Sequence, residues 1–229
     1  MKRRTRDGVV VTGLNKPGYG GRGFFVYGEA LESELAHLHH FLRPGDVFLD
    51  VGANSGIFSL KAAKCVGEDG IVVALEPLPH MLYTLHRNVV MNRFSNVRIR
   101  NFCAGDQTGV TEFWINQGRP ASSGLIRLDP QASKVSVLCM KLDDLAALEG
   151  LKRLDYVKID VEGAEDRILA GARELISRFK PVIQVEINKQ AAANIAGYRK
   201  LSYSGSPNSL LLPEDHRLNA ICRDLGYTG

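Results

Sequence analysis

The residues of this chain best suited to chemistry are carboxylates at the ends of short apolar runs, each followed by a turn. Asp50-Val51-Gly52-Ala53-Asn54-Ser55-Gly56 closes one run and Glu76-Pro77 the next; Asp160-Val161-Glu162-Gly163 and Glu186 close two more. A carboxylate placed this way accepts hydrogen bonds from hydroxyls or an ammonium, or takes a proton from a reacting group.

The first bend is the most informative. Gly52 lets the backbone turn sharply, and Gly56 lets a following helix pack close to its strand. Amides at that helix start suit a carboxylate ligand. Asp50 suits an amino group, and Asn54 offers a polar side chain. A dinucleotide bend reads GxGxxG and needs its second glycine where pyrophosphate meets the backbone. Asn54 stands at that place. A ligand without phosphate tolerates a side chain there, which favours S-adenosyl-L-methionine over NAD. Glu76, about 20 residues beyond Gly56, is placed to accept hydrogen bonds from ribose hydroxyls. Ala104-Gly105-Asp106 falls where an adenine edge would lie, and Asp106 fits either the exocyclic amine or an ordinary turn.

Asp160 and Glu162 follow an apolar run and open a helix, so Asp160 is expected beside the transferred group. Methyl transfer from a sulfonium to a hydroxyl is an in-line displacement that needs alignment and removal of the hydroxyl proton. Alignment supplies effective molarities of about 10⁵ to 10⁸ M in favourable cases, and a carboxylate base adds about 10²- to 10⁴-fold. Asp160 and Glu162 are candidates for that base or for holding substrate hydroxyls. Glu165 reads as a first-turn helix acid. Glu186 lies in the apolar run Val182 to Ile187, where a charge is costly unless it faces the cleft or a partner. Asp160, Glu186 and Asn188 supply the hard oxygens that suit Mg²⁺, but the rest of a metal pattern is missing and no divalent metal is expected. His37, His39 and His40 lack companions at zinc spacing and read as surface or core residues.

The elements that must position these groups alternate. Leu31, Leu35, Leu38 and Leu42 mark a helix stripe, ended by Arg43-Pro44-Gly45. Strands are expected at 47–51, 71–75, 97–103, 156–160 and 182–187, with helices at 57–66, around Leu78 to Val89, and along Ile168, Ala172, Leu175 and Phe179. That order predicts an α/β fold with a mostly parallel sheet covered by helices on both faces. Val110 to Ile115 and Val135 to Met140 read as a β-hairpin-like insertion. They flank Asn116 to Lys134, a polar loop long enough to serve as part of a substrate lid.

With 229 residues the chain suits one domain: a tail or lid over 1–28, a cofactor-binding core over 29–187, and a substrate-side segment over 188–229. Hydrophobic residues at 45% and charged residues at 24% exclude disorder as the main state. The formal charge of +4 is concentrated in Met1 to Arg6, which reads as a solvated tail. Basic clustering of the nucleic-acid-binding kind is not seen elsewhere. Cys65, Cys103, Cys139 and Cys222 have no paired spacing and suit a reducing compartment. No run approaches the ~20 apolar residues of a membrane span, and a cytoplasmic location is expected.

Together, Leu42-Arg43-Pro44-Gly45-Asp46, the 50–56 bend, Leu75-Glu76-Pro77, Asp155-Tyr156-Val157-Lys158-Ile159-Asp160-Val161-Glu162-Gly163-Ala164-Glu165 and Pro181 to Glu186 resemble the FkbM methyltransferase family. The resemblance covers roughly residues 30–187. It implies a Rossmann-like class I fold, S-adenosyl-L-methionine, and O-methylation of hydroxyls on sugars, polyketides or other secondary metabolites. It supports Asp50, Gly52, Asn54, Gly56 and Glu76 as cofactor residues, beside which Ala53 and Pro77 are also expected to bind the cofactor; it puts Asp160 and Glu162 beside the methyl group, and matches the family's pre-helix Glu to Glu32, with Glu34 a near alternative. A class I sheet ends with two further strands, whereas Leu218, Ile221, Cys222 and Leu225 mark a final helix just before Gly229. An incomplete C-terminal sheet edge is therefore expected, completed in one reading by a homodimer.

Ribose methylation of RNA is the alternative, although acidic Asp160 and Glu162 would repel a phosphate backbone. A nicotinamide oxidoreductase is disfavoured by Asn54, and a non-catalytic cofactor-binding module stays open.

Overall fold

The strands of the core are short runs in which nearly every residue is buried, as both faces of the sheet demand. The computed structural model describes residues 1–14, 16, 22–31, 33–186 and 195–229. A ribbon of β1 (Lys2–Arg4) and β2 (Val10–Thr12) precedes α1 (Arg22–Tyr27) and α2 (Ser33–Phe41). The alternating core follows: β3 (Val47–Val51), α3 (Ile57–Val66), β4 (Ile71–Leu75), α4 (Pro79–Asn92) and β5 (Val97–Arg100). Then come β6 (Cys103–Ala104), β7 (Gly109–Ile115), β8 (Ser133–Met140), α5 (Leu142–Leu148), β9 (Tyr156–Ile159), α6 (Glu165–Ala170), α7 (Arg173–Phe179) and β10 (Val182–Glu186). The chain closes with β11 (Tyr198–Ser202), β12 (Asn208–Pro213) and α8 (Leu218–Asp224).

Among the described residues, seven strands form the main sheet in the order β11-β12-β10-β9-β3-β4-β5. From β10 to β5 all neighbours are parallel, and one hydrophobic cluster covers each face of the sheet. The strand order reverses at β3, whose neighbours are β4 and β9. In an open α/β sheet the crevice at such a reversal, beyond the carboxyl ends of the strands, is where ligands sit. Asp50, Glu76 and Asp160 all stand there.

The expected incomplete edge is wrong. β12 pairs antiparallel with β10, Leu211 opposite Ile183, and β11 pairs antiparallel with β12. The run Leu210-Leu211-Leu212 is fully buried, and burying each leucine contributes about 2 kcal/mol. It escaped notice because Ser209 and Pro213 bracket only three apolar residues, while Arg199 and Lys200 make β11 look like surface. Charges of this kind are what an outermost strand carries. With β10 paired on both sides, the ground for a homodimer through that edge disappears.

Two further corrections follow. Met1 to Arg6 are mostly exposed as expected but are no free tail, since Lys2 to Arg4 pair with Val10 to Thr12, and Val9 and Val11 after them join the core. Asn92 and Asn88 of α4 accept hydrogen bonds from the N–H groups of Val10 and Thr12, at 2.7 and 2.9 Å. The strand expected over 97–103 divides, β5 ending at Arg100 while β6 joins a separate sheet of order β6-β8-β7. Within that sheet β7 and β8 form the expected hairpin, from Gly109 opposite Cys139 to Ile115 opposite Ser133. No helix among the described residues is long and apolar enough to cross a membrane.

Candidate functional site

The bend after β3 is fastened from beneath. The N–H groups of Gly52 and Ala53 donate to the carbonyl of Leu75, at 3.1 and 2.9 Å, and that of Gly56 donates to Ala53. Gly52 has φ +82°, and a Cβ there would lie 2.2 Å from the carbonyl oxygen of Asp160. The bend and the segment after β9 thus approach to a distance only glycine allows. Gly56, at φ +87°, leaves the same kind of room for Leu85 of α4 and packs helices rather than lining the cleft.

Asn54 also has a positive φ, +51°. Its N–H donates to Glu76 Oε2 at 2.8 Å, and its own side-chain oxygen accepts from the Ser55 N–H at 2.7 Å. The amides of residues 52–56 are therefore all engaged within the protein. Those of residues 52–54 are held by Leu75 and Glu76 and so are not open to a ligand, whereas the helix-start amides that the sequence assigned to a carboxylate begin at Ile57. What this stretch offers instead are two buried side-chain atoms without a hydrogen-bond partner, Asp50 Oδ1 and Ser55 Oγ. The other Asp50 oxygen accepts from Ser59 Oγ at 2.5 Å. Burial pushes the Asp50 carboxyl up, while Lys158 and Ser59 pull it back.

Glu76 is buried at the end of β4. It accepts from the Leu78 N–H at 2.8 Å as well as from Asn54, one bond to each oxygen. Burial raises its carboxyl to about 7, the two backbone bonds opposing and Asp50 adding to the rise. Each oxygen keeps a second lone pair for a further donor. Pro77 and Ala104 line the cleft beside it.

On the other flank, the Asp160 N–H donates to Val51 at 3.1 Å. Asp160 Oδ2 accepts from the ammonium of Lys158 at 2.9 Å, with 41% of the Asp160 side chain open. Glu162 lies next to it in a left-handed backbone conformation, φ +29°. Burial raises its carboxyl, Asp160 adds to this, and a hydrogen bond from Ser122 lowers it. Glu186, at the end of β10, is also raised by burial and then by Asp160, Glu162 and Glu165. It belongs to the same acidic rim without lining the cleft. Glu165 accepts from the Gly163 N–H at 3.2 Å, the helix-start role expected of it.

These flanks enclose a cleft of about 260 Å³, roofed by Pro120 to Leu125 of the long loop between β7 and β8. Asp50, Glu76, Asp160 and Glu162 line it against one ammonium, that of Lys158, among the described residues. A cleft of this charge favours a cationic ligand and disfavours pyrophosphate.

Asp106 does not reach the cleft. It accepts from Arg167 at 2.7 and 3.1 Å, and that guanidinium holds its carboxyl below the usual range. Glu32 and Asn188 lie outside the described residues. Glu34 is buried away from the cleft, accepting from Ser206 and Asn208 at 2.7 and 3.4 Å. His37 meets the Tyr227 hydroxyl at 3.2 Å and packs edge-on against Tyr203. No group of three or more His, Cys, Asp or Glu among the described residues is placed to hold a metal ion. Sequence reasoning missed Lys158, Ser55 and Ser59. The signal for Lys158 was present, since a charge inside Tyr156-Val157-Lys158-Ile159 needs a partner for the reason already applied to Glu186.

Comparison with known proteins supplies the identity. The family model described as the methyltransferase FkbM domain matches residues 50–228. The chain belongs to the FkbM methyltransferase family. It is thus a member of a family of S-adenosyl-L-methionine-dependent methyltransferases. It is 28% identical over 203 residues to the 31-O-demethyl-FK506 methyltransferase FkbM of Streptomyces tacrolimicus, covering 75% of each chain. It is 24% identical over 153 residues to the 2-O-methyltransferase NoeI of Sinorhizobium fredii, covering 60% of this chain and 62% of that one. The crystal structure of the methyltransferase FkbM from Methylobacillus flagellatus shares its fold, with a TM-score of 0.51 at 18% identity. That match covers 82% of this chain and 52% of the other, so the present chain spans about half the length of that relative.

Proposed function

We propose that this member of the FkbM methyltransferase family transfers a methyl group from S-adenosyl-L-methionine to a hydroxyl of a small molecule or glycan. The observation that carries the reading is the pair of half-open carboxylates, Asp160 and Glu162, on the cleft wall next to the glycine bend. Two of the relatives carry O-methyltransferase names, which points the same way.

The cofactor fits the residues present. Asp50 Oδ1, buried and without a hydrogen-bond partner, suits its ammonium, and Ser55 Oγ suits its carboxylate. Gly52, Ala53 and Asn54 line the cleft with them, the spare lone pairs of Glu76 suit the ribose hydroxyls, and Pro77 and Ala104 would contact the base. When bound, the cofactor supplies an electrophilic methyl on a sulfonium that leaves as a neutral thioether. Asp160 holds the acceptor hydroxyl in line and takes its proton as the oxygen–carbon bond forms, and Glu162 anchors a neighbouring hydroxyl. A polyanionic acceptor such as RNA would meet the acidic rim and be repelled.

The test uses methyl-labelled S-adenosyl-L-methionine with pooled metabolites and glycans. Label in an alkali-stable, ribonuclease-resistant ether supports the reading; label on nitrogen, in RNA, or in no product contradicts it.

A further inference from the structure

Lys158 lies in the middle of β9 with 4% of its side chain exposed. Its neighbour across the parallel pairing with β3 is Asp50, so the two side chains share one face of the sheet. Asp160, two residues further on, shares that face as well. The Lys158 ammonium lies 2.9 Å from Asp160 Oδ2, 3.9 Å from Asp50 Oδ1, and 4.8 Å over the ring of Phe58 in the first turn of α3. Burying a long cationic side chain costs both conformational freedom and solvation. An apolar residue would fill this place in the sheet more cheaply, which directs attention to what the charge does.

We propose that Lys158 is the positioning residue of the site: one ammonium shared by Asp50 and Asp160 fixes the cofactor-side and acceptor-side carboxylates in place. The inference rests on the reading of the cleft given above. The other groups acting here are the Ser59 hydroxyl of α3 on Asp50, Glu76 just after β4, Glu162, Glu165 and Glu186 around Asp160, and the Arg119 guanidinium, which acts on Glu162. Lys158 is the main group opposing the effect of burial on Asp50. Without it, Asp50 takes up a proton at higher pH and loses its grip on an ammonium ligand.

The experiment compares S-adenosylhomocysteine with methylthioadenosine, which lacks the amino-acid end. The ratio of their affinities, followed by calorimetry from about pH 5 to pH 9, cancels the titration of Glu76 and reports on Asp50. In Lys158→Met the midpoint of that ratio should move up by about one pH unit or more, with a tenfold loss of ratio below it. Lys158→Arg should restore the wild-type midpoint. Lys158→Gln, similar in reach and neutral, should follow Lys158→Met. An unmoved midpoint in the neutral variants, or an Arg variant no better than Met, would overturn the proposal. Failure of both neutral variants to fold while Lys158→Arg folds would make the ammonium a structural element and overturn it too. Absence of S-adenosylhomocysteine binding by the wild-type protein would instead sink the reading of the cleft itself.

Discussion

Glu76 accepts a hydrogen bond from the N–H of Asn54 at 2.8 Å, so the acid ending one strand holds the bend that follows its neighbour. The same carboxylate is proposed to hold the ribose, which ties the shape of the bend to the charge of the nucleotide site. Burial has raised it to about 7. A carboxylate raised in the folded state binds more protons there than in the unfolded chain, so its contribution to stability falls as pH climbs from about 4.5 to about 7. Wild type minus Glu76→Gln, from urea melts, should lose about 3 kcal/mol over that window. A flat difference would show that Glu76 titrates normally.

Ligand binding should run the other way. The ionised carboxylate is the better acceptor for hydroxyl donors, so methylthioadenosine should bind wild type more tightly as pH rises through about 7. Glu76→Gln should bind it about tenfold more weakly and without that pH dependence. Calorimetry at several pH values reads both.

The close approach of Gly52 to Asp160 predicts a contrast between glycines. At Gly205, φ +84°, a Cβ meets nothing within 4 Å, and Gly205→Ala should cost only the left-handed strain, about 1 kcal/mol. Gly52→Ala adds a clash with backbone at 2.2 Å and should cost about 3 kcal/mol or more. Equal costs in urea melts would mean that the bend and the segment after β9 move apart freely.

Asp160→Asn should cut methyl transfer about 10²- to 10⁴-fold while S-adenosylhomocysteine affinity stays within about threefold. Single-turnover transfer and calorimetry on one preparation separate the two. Unchanged transfer would remove Asp160 from the reaction.

Asp106→Ala should leave S-adenosylhomocysteine affinity within about twofold and stability within about 1 kcal/mol, since an open ion pair such as Asp106–Arg167 contributes little. A large loss of affinity would return Asp106 to the adenine site.

Much of this was legible in the sequence because the central strands are apolar runs ending in acids, and the parallel order follows from their alternation with helical stripes. Asp50, Glu76 and Asp160, which line one cleft, stand out in the sequence because each sits at such an end. Leu210-Leu211-Leu212 was missed because three residues between Ser209 and Pro213 carry too little periodic signal, and pairing with β10 alone makes them a strand. The docking of Val9 and Val11 was hidden by the basic residues before them. The use of the bend's amides by Leu75 and Glu76, and the exit of Asp106 to Arg167, are tertiary choices that local spacing does not encode. Lys158 was visible as a charge in an apolar strand, but its bridging of two carboxylates needed the register of β3 on β9.

The most direct test of the account is calorimetric titration of the purified chain with S-adenosylhomocysteine and, separately, with NAD. The account predicts one S-adenosylhomocysteine site per chain, abolished by Asp50→Ala, and no measurable NAD binding. Tighter binding of NAD, or S-adenosylhomocysteine binding indifferent to Asp50→Ala, would contradict it.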